Sequence, residues 1–466
     1  DGSFHEMEPF NLSRFTPEDK MYGDGVITGF GTIDKRLVYL YAQDFTVYGG
    51  TMSEMQSRKI CRMMDLAFEN KAPVISLIDS GGARIQEGII SLAGYAGVFL
   101  STTRLSGLVP QISLILGPCA GGAAYAPAAT DFIIMTRNKS YMFLTGPDVV
   151  ESVTGESIDV EALGGSKVHL TTSGLAHLGA DSDEDAIQLC RQLFSYFPNH
   201  ALEKAPVLPT DDTPGRLDPS LNHIIPDDPG EPYVMHSIIE AIVDQGSFLE
   251  LQPEFAPNGI IGFARFNGKG VGIVAQEPSV MAGVMDINSS DKIARFVRTC
   301  DCYNIPLITL VDCPGFLPGL YQETHGVIRH GAKVLYAYAE STVPKITVII
   351  RKAYGGAYIV LGSKMIGADV TFAWPTAEIA VMGPEGATKI LYRKQIEAAA
   401  DPVAEHKKLV GSYREKYLNP YISAEAGYID DIIEPQETRA KIIGALAGVR
   451  YKKIERDLKK HGNMPV

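Results

Sequence analysis

The chain has 466 residues, 45% of them hydrophobic and 21% charged, with a formal net charge of −13. That length suits two domains of about 200 residues each, and the acidic balance argues against a nucleic-acid binder, which would gather Lys and Arg against phosphate. The longest apolar runs, such as Val74 to Ile78 and Ile346 to Ile350, are strand-length and far short of the roughly 20 residues that cross a bilayer, so no direct membrane insertion is expected.

Six cysteines are scattered along the chain without a CxxC pair, which fits a reducing compartment and argues against a zinc ribbon. The expected location is the cytoplasm, or the mitochondrial matrix in a eukaryote. Asp1 is neither an initiator Met nor a signal-like start, from which the native chain is expected to begin further upstream.

In chain order, Lys59 to Asn70 has helical spacing and leads through Pro73 into the apolar run Val74 to Ile78, which ends in Asp79-Ser-Gly-Gly82. A second run, Ile112 to Leu116, ends in Gly117-Pro-Cys-Ala-Gly-Gly122 before the small-residue segment Ala123 to Ala129. Strand, glycine turn and helix recur, which predicts an α/β layered domain with functional turns at its strand ends. From Ala205 to Tyr233 the chain is rich in Pro and Asp and reads as a linker, residues 205–233, between domains at 1–204 and 234–466.

The second half repeats the first. A shift of 233 places brings Gly29, Gln43, Ser57, Lys59, Pro73, Asp79 and Gly82 onto Gly262, Gln276, Ser290, Lys292, Pro306, Asp312 and Gly315. Across about 54 positions roughly 16 are identical, where residue frequencies give on the order of 3 by chance. After one inserted residue, Pro110, Gly121 and Gly122 meet Pro344, Gly355 and Gly356.

A helix that starts just after a strand aims unbonded N–H groups and a positive dipole end at whatever lies there, and glycine removes the Cβ that would block a carbonyl oxygen. The duplication supplies two such turns, Gly121-Gly122-Ala123 and Gly355-Gly356-Ala357. Two oxyanion holes suit a reaction in which two carbonyls each gain negative charge, such as enolate formation on a thioester beside a ureido leaving group; hydrolysis needs one. The competing reading is that paired glycines only let a helix pack close to a sheet. No G-x-S-x-G, H-E-x-x-H or Walker loop occurs, and Gly270-Val-Gly272 runs into a strand where a dinucleotide site needs a helix. His325 and His330 lack an evident carboxylate partner and read as surface or structural residues rather than metal ligands. Arg351 and Lys352 read equally as anion support or as a subunit salt bridge, while Asp79 and Asp312 read as caps of the turns that follow them.

Several long segments resemble the biotin-dependent acyl-CoA carboxyltransferases, the family of propionyl-CoA and acetyl-CoA carboxylase β subunits, which is related to the crotonase fold. They are Asp79-Ser-Gly-Gly-Ala-Arg-Ile-Gln-Glu-Gly88, Gly117-Pro-Cys-Ala-Gly-Gly122, Asp286-Ile-Asn-Ser-Ser-Asp291, Pro314-Gly-Phe-Leu-Pro-Gly319, Ile328-Arg-His-Gly-Ala-Lys333, Arg351-Lys-Ala-Tyr-Gly-Gly356, Ala373-Trp-Pro-Thr-Ala-Glu-Ile-Ala-Val-Met-Gly383 and Lys460-His-Gly-Asn-Met-Pro465. The resemblance covers nearly the whole chain. It implies two tandem crotonase-like α/β domains, and a hexamer of paired subunits whose active site lies where one chain's N-domain faces another's C-domain.

By the same resemblance Gly121 and Gly122 form the hole for the acyl-CoA carbonyl, and Gly356 and Ala357 the hole for the biotin ureido oxygen. Acyl-CoA contacts are implied at Gly81, Gly82, Ala83, Arg84, Ala123 and Ile359, and biotin contacts at Phe316, Leu317, Pro318 and Gly355. Ile359 stands where relatives line the acyl and biotin pocket. Propionyl-selective members often carry Asp there, so Ile is compatible with acetyl-CoA or mixed use. In the family mechanism carboxybiotin releases CO2, the biotin anion takes the α-proton, and the enolate attacks. No Met-Lys-Met biotinylation segment or phosphate loop occurs, so biotin is expected on a carrier protein, ATP on a partner biotin carboxylase, and no metal in this chain. Two rivals share parts of the pattern. The α subunit of a sodium-exporting methylmalonyl-CoA or glutaconyl-CoA decarboxylase runs the half-reaction backwards, and a biotin transcarboxylase belongs to the same set. A crotonase-like hydratase or isomerase would need an acidic base near its hole, and residues 117 to 129 contain none.

Overall fold

The computed structural model describes residues 2–13, 21–228, 230–454 and 459–465; Asp1 and Pro229 of the linker reading lie outside them. The chain divides into two units, Asp1–Pro206 with Cys302–Asn304, and Val207–Asp301 with Ile305–Val466. Most of the stretch read as a linker packs within the second unit, where Leu221 and Tyr233 are buried in its core.

The first unit is built on β1 (His5–Met7), β2 (Val26–Ile33), β3 (Arg36–Gln43), β4 (Val74–Ser80), β5 (Gln111–Ala120), β6 (Phe132–Thr136), β7 (Tyr141–Phe143) and β8 (Leu178–Ala180). Their order is β1-β2-β3-β4-β5-β6-β8, with β7 beside the end of β5. The first three strands are antiparallel and the rest parallel. The second unit repeats this order with β9 (Leu249–Leu251), β10 (Gly259–Phe266), β11 (Lys269–Gln276), β12 (Leu307–Cys313), β13 (Lys345–Tyr354), β14 (Val370–Ala373), β15 (Glu378–Ala380) and β16 (Asp431–Ile432). Each unit is therefore a mixed α/β fold on an eight-stranded sheet. β12 and β13 are buried almost without interruption, as parallel strands inside a layered fold are.

The register slips at the same place in both sheets, between Ile78 and Ser80 and between Val311 and Cys313. Each slip stands just before a glycine-bearing loop and bends the strand end that carries it.

Helix α1 (Glu54–Glu69) starts where Ser53 caps the N–H of Gln56. Its Lys59 is 1% exposed and donates to the carbonyls of Gly23 and Val26. α2 (Ile89–Leu105) and α3 (Gly122–Ala128) complete the layer that positions the first turn. In the second unit α4 (Ile287–Cys302) carries Lys292, which donates to the carbonyls of Gln252, Phe255 and Ala256 and which burial pulls down to about 8. Two more helices position the second turn: α5 (Val327–Glu340) and α6 (Gly355–Val360). Each buried ammonium thus clamps backbone carbonyls of the segment that precedes its helix.

Candidate functional site

The first glycine turn leaves β5 at Gly121, whose φ of 61° and ψ of −129° only glycine adopts without strain. Its own N–H bonds the Phe143 carbonyl at 3.0 Å, and the Ala124 N–H turns back to the Gly121 carbonyl at 3.1 Å. The N–H groups of Gly122 and Ala123 sit at the first turn of α3, where no intrahelical acceptor exists.

A loop after β4 stands against this turn. A Cβ on Gly82, at φ 105°, would come within 2.8 Å of the Ala120 carbonyl oxygen, so the two segments touch through bare backbone. The Gly82 N–H bonds the Ser80 hydroxyl, the Met52 N–H bonds the Gly82 carbonyl, and Ala83 bridges to Met52. Gly81, Gly82, Ala83, Gly121, Gly122 and Ala123 are therefore brought together at the carboxyl ends of neighbouring strands, where open α/β sheets bind ligands.

Arg84 belongs to this loop but turns inward. Its guanidinium is 2% exposed, pairs with Asp24 at 2.6 Å and bonds the Thr51 carbonyl at 3.0 Å, while its backbone N–H bonds Met52. It holds the loop, and its donors already have partners inside the chain.

The second turn leaves β13 at Gly355, φ 63°. At Gly356 a Cβ would meet no atom within 4 Å, so no packing contact accounts for glycine at this position. Ala357 is buried and Ile359 is 38% exposed on the outer face of α6. After β12, Phe316 bridges to Met285 as Ala83 does to Met52, and its ring packs on Gly331 of α5. The Leu317 N–H bonds the Met285 carbonyl at 2.7 Å, and Pro318 is exposed. β12 and β13 are parallel neighbours, so the Phe316–Pro318 loop and the Gly355–Ala357 turn share one sheet end.

Several readings change. Arg351 forms an internal ion pair with Asp312 (3.1 Å), donates to the Glu231 carbonyl and lies over the Tyr233 ring. Asp312 therefore ties β12 to β13 instead of capping the turn after it, and Asp79 makes no capping bond among the described residues. Lys352 lines a cavity of about 480 Å³ with Tyr354 and Arg414. His330 does have a carboxylate partner: its Nδ1 lies 2.8 Å from Asp291, which also takes the Lys333 ammonium. That pairing spans 39 residues and leaves no local sequence signal. Tyr95, on α2, was not singled out from the sequence, yet its ring fills the space where a Cβ of Gly122 would stand. No group of three or more potential metal ligands occurs among the described residues, and none of their helices is long and apolar enough to cross a membrane.

The sequence model of the carboxyl transferase domain matches residues 1–464, and the chain belongs to the carboxyl transferase family. It is 52% identical over 470 residues to the carboxyltransferase subunit of propionyl-CoA carboxylase from Haloferax mediterranei, covering 100% of this chain and 91% of that protein. It is 51% identical over 470 residues to the alpha subunit of methylmalonyl-CoA decarboxylase from Veillonella parvula, with the same coverage. Among solved structures, transcarboxylase 12S, a hexamer assembly with methylmalonyl-coenzyme A and methylmalonic acid bound, superposes with a TM-score of 0.96 at 48% identity. The match covers 100% of this chain and 90% of that one.

Proposed function

We propose that this chain is the carboxyltransferase subunit of a biotin-dependent acyl-CoA carboxylase, acting on propionyl-CoA, acetyl-CoA or both. The observation that carries the reading is the pair of strand–glycine–helix turns, one in each unit, each presenting two N–H groups without intrahelical acceptors. In this reading both units are crotonase-like domains that arose by duplication. The subunit works in a hexamer with a biotin carboxylase and a biotin carrier, in the cytoplasm or, in a eukaryote, the mitochondrial matrix.

Because the Gly121 N–H is spent on the Phe143 carbonyl, the hole expected at Gly121 and Gly122 moves on by one residue: the Gly122 and Ala123 N–H groups receive the thioester carbonyl as it gains enolate charge, and Gly81, Gly82 and Ala83 line the same site. Gly356 and Ala357 receive the ureido oxygen of biotin, beside Phe316, Leu317 and Pro318. The open space at Gly356 fits a carbonyl oxygen approaching the backbone. Carboxybiotin, delivered by the carrier, supplies both the carboxyl group and the base, which agrees with the absence of an acid in residues 117 to 129. Ile359 projects from α6 one turn beyond Gly356 and helps set the size of the acyl group.

The decarboxylase reading draws support from the Veillonella parvula relative, whose identity differs by one percentage point from that of the Haloferax mediterranei protein. It uses the same half-reaction in reverse, so one assay addresses both. The folded, oligomeric chain is given free biotin with malonyl-, methylmalonyl- or glutaconyl-CoA, and loss of the carboxyl group is followed. Biotin-dependent consumption of methylmalonyl- or malonyl-CoA is expected; no consumption of any thioester would overturn the proposal, and glutaconyl-CoA as the fastest substrate would favour the decarboxylase.

Gly356→Ala is the cleaner test of the hole. Its Cβ enters open space, so the fold should be unchanged, while turnover falls about 100-fold if an oxyanion approaches there. Full activity would remove Gly356 from the site. Gly122→Val is less clean, because its side chain would collide with Tyr95 whatever the chemistry.

A further inference from the structure

Gly122 and Gly356 match in the repeat but need to be glycine for different reasons. Among the described residues no packing neighbour lies within 4 Å of where a Cβ of Gly356 would be, whereas Cδ2 and Cε2 of Tyr95 lie 2.7 and 2.9 Å from where a Cβ of Gly122 would be. Tyr95 is 3% exposed, stacks on Phe99 at 5.8 Å, and Phe99 in turn meets Tyr125 of α3 edge-on at 6.2 Å. The phenol oxygen is buried beside Ser80, without a well-formed hydrogen bond, and burial raises its pKa so that it stays neutral. The Ser80 hydroxyl itself accepts the Gly82 N–H at 3.2 Å. One side chain therefore touches both segments of the first turn, the ring against Gly122 and the hydroxyl against the residue that holds Gly82.

We propose that Tyr95 is the positioning residue of this turn, fixing the separation between the Gly121–Ala123 backbone and the Ser80–Ala83 loop. This rests on the reading of the turn as the acyl-CoA hole. Oxyanion donors act only when they stand about 2.7 to 3.1 Å from the oxygen, so a shift of one segment relative to the other removes their benefit without unfolding anything. A buried hydroxyl left without a good partner is uncommon, and its persistence here is consistent with a side chain held in place by ring packing. Among the described residues no ring lies within 4 Å of where a Cβ of Gly356 would stand, so the second turn lacks this contact.

The test uses the intact oligomer and four variants: Tyr95→Phe, Tyr95→Leu, Gly122→Ala and the double variant Tyr95→Leu/Gly122→Ala. In biotin-dependent decarboxylation of methylmalonyl-CoA, Tyr95→Leu should lower kcat at least tenfold with KM changed less than about threefold, the split expected when donors are misplaced. Tyr95→Phe, which keeps the ring, should recover most of that kcat. Wild-type kcat in a folded Tyr95→Leu oligomer would overturn the proposal, as would a loss confined to KM.

Thermal unfolding gives a second arm that needs no turnover. Gly122→Ala should lower the midpoint, and adding Tyr95→Leu should restore part of the loss, because the smaller side chain makes room for the new methyl group. Strictly additive losses would sever Tyr95 from Gly122. If this coupling appears while the wild-type protein consumes no thioester, the contact stands and the assignment of the turn to acyl-CoA falls.

Discussion

Asp79 and Asp312 end equivalent strands at the same register slip, yet they live in opposite surroundings. Asp312 is fully buried and fully engaged: one oxygen takes the Arg351 guanidinium and the other the backbone N–H of Lys352 at 3.0 Å. In the first unit the residues at those two places are Gly117, which has no side chain, and Pro118, which has no N–H. Both partners are deleted and the carboxylate remains. Its Oδ1 is buried without a hydrogen bond, and burial raises its pKa, with Asp183 and Asp44 adding to the rise and Lys139 opposing it. Two identical residues at matching places do not have one role, because the partners decide whether a buried charge holds a fold together or burdens it.

The largest effect should come from breaking the satisfied pair. Arg351→Met leaves Asp312 buried and uncompensated on its guanidinium side, at an expected cost of about 3–5 kcal/mol in chemical denaturation. A loss under about 1 kcal/mol would mean that the Lys352 N–H alone satisfies Asp312.

Pro118→Ala should sharpen the comparison by giving Asp79 the backbone donor its counterpart has. The new bond is worth about 0.5–1.5 kcal/mol, and losing the rigidity of proline removes about 0.4–1, so stability should hardly move. The titration of Asp79, followed by carboxyl NMR, should move down in pH. An unmoved titration would show that the strand geometry differs from that at Lys352.

Asp79→Asn should also have a small effect, because it removes only the charge. Because folding raises the Asp79 pKa, the ionised carboxylate costs stability at neutral pH, and that cost disappears as pH falls through the folded-state value toward the ordinary carboxylate range near 4. The variant should therefore be more stable than wild type at pH 7, by no more than about 1 kcal/mol since the group is partly open to water, and equal to it near pH 4. Destabilisation at pH 7 would mean that the carboxylate has a partner after all.

The duplication was legible because many of the residues that repeat hold together the scaffold of their own unit. Lys59 and Lys292 clamp carbonyls, and the runs Val74 to Ile78 and Ile346 to Ile350 form the interiors of β4 and β13. Gly121 and Gly355 were legible for the same kind of reason, a backbone conformation that other residues avoid. The contacts that sequence reading missed are those made by packing across elements. Tyr95 meets Gly122 from another helix, Arg351 finds Asp312 from the neighbouring strand, and Arg84 turns to Asp24 sixty places away. Hydrophobic periodicity says that such side chains go inward without saying whom they meet.

The two lysine clamps also bear on how the molecule is made. Lys59 reaches carbonyls 33 and 36 places back along the chain, and Lys292 carbonyls 36, 37 and 40 places back. Each clamp closes within the first third of its own unit, over loops short enough to form early. During synthesis the hairpin and helix of the first unit can lock before the second unit has left the ribosome, and the second can then repeat the step with its own lysine. A duplicated chain that carries a separate lock in each copy has less occasion to pair a strand of one copy with its look-alike in the other.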